Sequence, residues 1–298
     1  MLYLTGFKIA SSRNEDDFIL NSCKLDMTCY DLCNVYPFKL FPGRGLDRLE
    51  FAPLTLLYGG NGSGKSTLLN IIAEKLKLGR GSTFNRTPFF EDYLGFCRAT
   101  LSRDMSLPEA SRIITSDDVF DFMLDMRAIN QGVSRHRDEL FREYQLYNDP
   151  AQPQFRLRSL EDYDELRRRN RARRKSTTRS SFAAGELEHE VRGQSNGENG
   201  FAYFTHTIRE NALYLLDEPE NSLSARRQVE LAEFISQSAR FYGCQFIIST
   251  HSPFLLSLRE AKIYDLDARP VSVRAWQQLD NVRAYYELFE SRREDFAQ

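Results

Sequence analysis

The sequence predicts an α/β protein, a mostly parallel sheet covered by helices on both faces, with a helical, basic stretch inserted into it. Three observations carry this. Short, continuous apolar runs occur at Leu54–Tyr58, Ala212–Leu216 and Gln245–Ser249, which is how strands buried on both faces read. Helical patterns at Thr67–Leu78 and Leu223–Tyr242 alternate with those runs, as βαβ units require. Between residues 95 and 192 the pattern becomes charged and mostly helical.

In chain order, Leu2–Ile9 is strand-like, and Leu54–Tyr58 ends abruptly in Gly59 and Gly60. The helix from Thr67 to Leu78 is expected to close at Gly79. The inserted stretch has a proline-containing break at Asn148–Pro153. Its Arg156–Arg179 segment holds ten basic and four acidic residues, a local net of +6, and Ser176–Ala184 reads as a flexible loop. The α/β rhythm returns from Gly193, with Lys262–Leu266 as a further strand. The expected division is a core of residues 1–94 and 193–298 and an insertion of residues 95–192, with the Arg-rich segment at 156–179.

Composition narrows the function. The 298 residues carry 40 basic and 42 acidic side chains, a formal net charge of -2, which argues against a globally basic nucleic-acid binder but leaves room for a local basic patch. Hydrophobic residues at 41% are too many for a disordered chain. No apolar run approaches the roughly 18–20 residues of a membrane span, so no membrane partner is expected. Met1–Ile9 lacks the basic start and long apolar stretch of a secretion signal. Cys23, Cys29 and Cys33 cluster without zinc spacing, so they read as reduced cysteines of a cytoplasmic protein.

The chemistry concentrates in three places. Gly59-Gly60-Asn61-Gly62-Ser63-Gly64-Lys65-Ser66 matches the eight-residue P-loop pattern between an apolar strand and a helix. Glycines let backbone N–H groups converge on phosphate oxygens, and the helix N-terminus adds partial positive charge. Lys65 is expected on the β- and γ-phosphates, Ser66 on Mg²⁺ and Thr67 on a phosphate. Leu213–Leu216 then delivers Asp217 and Glu218 to a strand's C-terminal end, where ligands of α/β sheets collect. Asp217 is expected in the Mg²⁺ shell, with Glu218 polarising the attacking water. Ser249-Thr250-His251 ends the next apolar run, and His251 is placed to hydrogen-bond the γ-phosphate or that water.

Together these residues resemble the ATP-binding-cassette class of ATPases, on the SMC-, RecF- and OLD-like branch, over roughly residues 1–94 and 193–290. Small standalone bacterial ATPases of this class are the nearest likeness, through Tyr36-Pro37-Phe38, Leu46–Phe51 and the P-loop. The resemblance implies a P-loop ATPase head, with an N-terminal antiparallel β part beside the parallel sheet. It implies slow hydrolysis of ATP, preferred over GTP on this ground alone, and a homodimer that sandwiches ATP with Mg²⁺. Ser195-Asn196-Gly197-Glu198 is a variant of the family's signature, so Ser195 and Gly197 are expected to reach the γ-phosphate held by the other subunit. Asn221–Ser224 falls where the family's interface-crossing loop lies. No Q-loop glutamine is evident, and Ile113–Phe120 occupies that region. Many relatives of this class sit beside nucleases or in phage-defence operons, and, with no second catalytic constellation evident in the sequence, a separately encoded effector is expected. Tyr36, Phe38 and Arg44 are candidates for base contact.

Arg167–Lys175 carries seven positive charges in nine residues. Nucleic acid, an acidic partner protein and a solvated face all fit it. Three functions stay open: a switch ATPase of repair or antiviral defence, the nucleotide-binding subunit of a transporter, and a non-catalytic ATP-gated scaffold.

Overall fold

The computed structural model describes residues 1–21, 35–103, 106–149, 163–173, 178–184 and 196–296. Elements in chain order are β1 (Leu4–Lys8), α1 (Ser12–Asn21), β2 (Arg48–Glu50), β3 (Leu54–Tyr58), α2 (Lys65–Leu76), α3 (Phe90–Phe96), β4 (Arg98–Leu101) and β5 (Arg112–Thr115). There follow α4 (Ser116–Asn148), α5 (Tyr163–Ala172), α6 (Arg179–Ala184), α7 (Asn196–Thr207), β6 (Leu213–Asp217) and α8 (Ala225–Phe241). The chain continues through β7 (Gln245–Ser249), α9 (Pro253–Leu256), β8 (Lys262–Asp265), β9 (Ser272–Val273) and α10 (Asp280–Ser291).

Two sheets form. The larger runs β5-β6-β7-β3-β8-β9, parallel except for the antiparallel edge strand β9. The smaller is antiparallel, in the order β2-β1-β4. Every residue of β3 and β7 is buried, which is why their sequences are continuous apolar runs rather than alternations. Thr55, Gln245 and Ser249 are their buried polar members, and Gln245 joins the sheets. Its Oε1 accepts the N–H groups of Tyr3 (2.8 Å) and Leu4 (2.9 Å), while its Nε2 donates to the Leu4 carbonyl (2.8 Å). The core between the sheets is packed by Phe7, Leu49, Leu69, Ile72, Phe90 and Tyr93.

The chain divides into two compact units, residues 1–120 with 196–298, and residues 121–195. The first boundary therefore lies beyond residue 94, because β4 pairs with β1 and β5 pairs with β6. α2 also ends earlier than its glycine suggests. Lys77 takes the left-handed cap (φ 55°), and Gly79 instead bridges to Arg112. In the second unit, Phe182 of α6 is fully buried with Leu140, Tyr147 and Ala172. Arg179–Ala184 is thus a packed helix rather than a loop.

Candidate nucleotide-binding and hydrolysis site

The central strands deliver the site. β7 lies between β3 and β6, so the P-loop after β3, the acids after β6 and the histidine after β7 all emerge at one C-terminal edge. Gly64 sits at φ 93° before Lys65, and a Cβ there would lie 3.1 Å from the Phe41 ring. Glycine is thus demanded by both backbone and space. No side chain caps α2, which leaves its first amides for an anion.

Lys65 is almost wholly buried, and its Nζ donates to the carbonyls of Gly59 (2.8 Å) and Gly60 (3.2 Å). The same Nζ lies 2.8 Å from His251 Nε2 and 3.8 Å from Glu218 Oε1. With Lys65 an ammonium, Nε2 is the acceptor. Burial pulls Lys65 below the usual lysine value, opposed first by Glu218 and then by Asp217. Ser66 Oγ donates to Asp217 Oδ1 at 3.0 Å, and Ser249 Oγ donates to the same oxygen. Burial pushes the Asp217 carboxyl upward, opposed by the Ser249 and Ser66 hydroxyls.

Glu218 holds a left-handed backbone (φ 47°), costly for a residue with a Cβ. Its N–H donates to the Ser249 carbonyl at 3.0 Å, and its Oε1 lies 3.4 Å from His251 Nε2. Asn221 Nδ2 donates to Glu218 Oε2 at 3.0 Å. Leu40, Asn61, Gly62, Gly64, Lys65, Ser66, Thr67 and Glu218 line a cleft of about 280 Å³.

The residues present fit Mg²⁺ and a nucleotide. Ser66 and Asp217 place two hard oxygen donors side by side at the mouth of an uncapped helix, a donor set suited to a cation that keeps water and phosphate ligands. No group of three or more His, Cys, Asp or Glu that could hold a metal occurs among the described residues.

The structure brings Lys65, Ser66, Asp217, Glu218 and His251 together. Gly59 and Gly60 turn their carbonyls to Lys65. Ser63 Oγ is buried and has no partner among the described residues. Thr67 Oγ1 accepts the Tyr36 hydroxyl at 2.9 Å. Gly197 lies in α7, while Ser195 lies outside the described residues, as do Cys23, Cys29 and Cys33. Of the base-contact candidates, Phe38 is buried and stacks on Phe18, with centroids 4.6 Å apart. Packing withdraws it from the cleft, and Leu40 takes the lining position. Arg44 serves the P-loop, its Nη1 donating to the Ser63 carbonyl at 2.7 Å.

Two residues carry no sequence signal. Asp267 Oδ2 accepts the Gly60 N–H at 2.5 Å, and Asn281 Nδ2 donates to the His251 carbonyl at 2.8 Å. Both follow β8, and only its pairing with β3 brings them near. In the second unit, the Arg169 guanidinium lies 5.0 Å from the Tyr147 ring centroid, and Arg173 Nε donates to the Tyr147 carbonyl at 2.7 Å. Arg174 and Lys175 lie outside the described residues.

Fold and site together define an α/β P-loop fold, a mostly parallel sheet with a separate antiparallel one. The family model described as AAA domain, putative AbiEii toxin, Type IV TA system matches residues 133–257, a range containing Asp217, Glu218 and His251 but not the P-loop. The zinc import ATP-binding protein ZnuC of Hydrogenovibrio crunogenus is 23% identical over 237 residues, 79% of this chain and 76% of that protein. Among solved structures, an SMC head domain with an extended coiled coil, bound to the C-terminal domain of ScpA derived from Pyrococcus furiosus, is 13% identical with a TM-score of 0.45. The match spans 98% of this chain and 100% of that one. A dimeric bacterial ABC transporter cassette is 15% identical with a TM-score of 0.36, over 78% of this chain and 90% of that one. Among the described residues, no helix is long and apolar enough to cross a membrane.

Proposed function

We propose that this chain binds and hydrolyses ATP as a homodimeric cytoplasmic switch controlling a separately encoded effector in nucleic-acid repair or antiviral defence. The convergence of Lys65, Ser66, Asp217, Glu218 and His251 at one sheet edge carries this reading. Phosphate oxygens replace the Gly59 and Gly60 carbonyls as partners of Lys65. Ser66 and Asp217 would hold Mg²⁺, which would supply neutralisation of phosphate charge. Glu218 accepts the proton of the water that attacks the γ-phosphorus, and ADP leaves. His251 hydrogen-bonds the γ-phosphate or that water, and Ser195 and Gly197 arrive from the partner chain. The output is a conformational switch, so turnover is slow.

The family description, with its toxin and Type IV TA wording, supports the defence setting. Arg167–Lys175 supports a nucleic-acid partner. The zinc import relative favours a second reading, the nucleotide-binding subunit of a transporter. Phosphate release and mass by light scattering, with ATP and with ADP, test the switch. Hydrolysis with dimerisation only in ATP is expected, and a monomer that leaves ATP intact refutes it. Capture from the native host with ATP-trapped protein separates the two settings. Bound nuclease or nucleic acid supports defence, and an integral membrane protein without nucleic acid supports transport.

A further inference from the structure

The acid that follows Glu218 by two residues points the other way. Left-handed Glu218 opens the Pro219–Ser222 3-10 turn, so Glu218 faces Lys65 while Glu220 turns inward beneath the strand end of β7. There Glu220 Oε1 accepts three donors from consecutive residues: Thr250 Oγ1 at 2.8 Å, the His251 N–H at 2.6 Å and the Ser252 N–H at 3.1 Å. Its Oε2 is buried without a partner among the described residues. Burial raises this carboxyl, opposed by the same amides, so the carboxylate is held at a desolvation cost that its contacts to this one turn offset.

The turn is also gripped elsewhere. Asn281 holds the His251 carbonyl, fixing the residue from its other side. Gln228 Oε1 accepts Ser252 Oγ at 2.7 Å, while Gln228 Nε2 donates to the Leu223 carbonyl at 2.9 Å. The histidine turn is thereby joined to the loop Asn221–Ser224.

We propose that Glu220 is a positioning residue: its carboxylate fixes the Thr250–Ser252 turn so that the His251 ring stands over Lys65 and Glu218. This rests on the reading of His251 as a group acting at the γ-phosphate or its attacking water. The proposal predicts that losing Glu220 affects turnover only through His251.

The test measures steady-state ATP hydrolysis, ATP affinity and thermal unfolding for Glu220→Ala, Glu220→Asp, Glu220→Gln, His251→Ala and the double variant Glu220→Ala/His251→Ala. Displacing a reacting group by about 1 Å costs up to roughly 100-fold. Glu220→Ala is therefore expected to lower kcat about 10- to 100-fold, with ATP affinity held within about threefold. Glu220→Gln keeps an acceptor at the Oε1 position and restores most of that loss. Glu220→Asp keeps the charge, withdraws the oxygen and does not restore it, and it serves where the alanine variant fails to fold. In the His251→Ala background the Glu220→Ala loss shrinks to less than about threefold, because the two act as a unit.

An undiminished loss in that background, or wild-type kcat in Glu220→Ala or Glu220→Asp, overturns the proposal and leaves the site's ATPase reading standing. Wild-type turnover in His251→Ala overturns the reading of His251 itself, and the role of Glu220 with it.

Discussion

Glu218→Gln separates binding from chemistry at this site. The Glu218 carboxylate stands 3.8 Å from Lys65 Nζ and 3.4 Å from His251 Nε2, and glutamine retains its shape and an oxygen for Asn221. What disappears is a proton acceptor and one negative charge. Loss of a general base slows a reaction about 10²- to 10⁴-fold, which is about 2.7–5.4 kcal/mol at the barrier. The lost charge acts on binding in the opposite sense, because it competes with phosphate for Lys65 and repels it. Unit charges near 4 Å interact by about 1 kcal/mol in bulk water and about 4 kcal/mol near a protein surface. The partly exposed Glu218 sits toward the lower figure, so ATP affinity should rise about fivefold. Phosphate release and fluorescent-nucleotide titration read the two effects separately. Turnover at the wild-type rate would falsify the assignment of Glu218, and weakened ATP binding would contradict the electrostatic argument.

Three further substitutions test the scaffold. Gly64→Ala places a Cβ 3.1 Å from the Phe41 ring and 3.2 Å from Leu40 at φ 93°; it should cost about 1–3 kcal/mol in urea unfolding and weaken nucleotide binding, and an unchanged midpoint refutes the strain argument. Gln245→Ala leaves the Tyr3 and Leu4 N–H groups and the Leu4 carbonyl unpaired. At about 1–3 kcal/mol per buried orphan, a loss on the order of 3 kcal/mol or more is expected, and less than about 1 kcal/mol would mean the two sheets do not depend on it. Asp217→Asn should abolish turnover yet raise the melting temperature of the nucleotide-free protein at neutral pH. Burial raises the folded-state pKa of Asp217, so its contribution is full below the unfolded aspartate value and is lost as pH rises through the folded value. The gap between variant and wild type should therefore close on acidification, and a gap independent of pH contradicts this.

The site was legible because its elements announce themselves locally. β3, β6 and β7 are buried on both faces, so their sequences are mostly apolar runs, and Gly59, the Asp217-Glu218 pair and Thr250-His251 mark where they end. β4 shows no such run, since its residues are mostly exposed. Only pairing with β1 makes Arg98–Leu101 a strand, so the first boundary falls later than composition suggests. Phe38 looked like a base contact because it is aromatic and near the P-loop in sequence. Three-dimensional packing against Phe18 and Tyr93 wins instead. Glu220 lies two residues after Glu218 in sequence, but its inward direction depends on the left-handed backbone at Glu218, which no residue type reveals.

The same geometry predicts which form of the nucleotide stabilises the protein. Glu218 lines the cleft and Asp217 stands behind Ser66, two carboxylates against the buried ammonium of Lys65, so these three charges sum to negative. Free ATP brings further negative charge to that edge. Its phosphates gain the uncapped amides of α2 but meet the two carboxylates. Were Mg²⁺ held by the Ser66 and Asp217 oxygens, as proposed, a cation would turn that repulsion into attraction. Ligand at 100 times its Kd adds about 2.7 kcal/mol to stability. ATP with Mg²⁺ should therefore raise the melting temperature well above that with ATP and EDTA, and Asp217→Asn should remove most of the difference. An equal shift with and without the metal would mean that Asp217 and Ser66 are not its ligands.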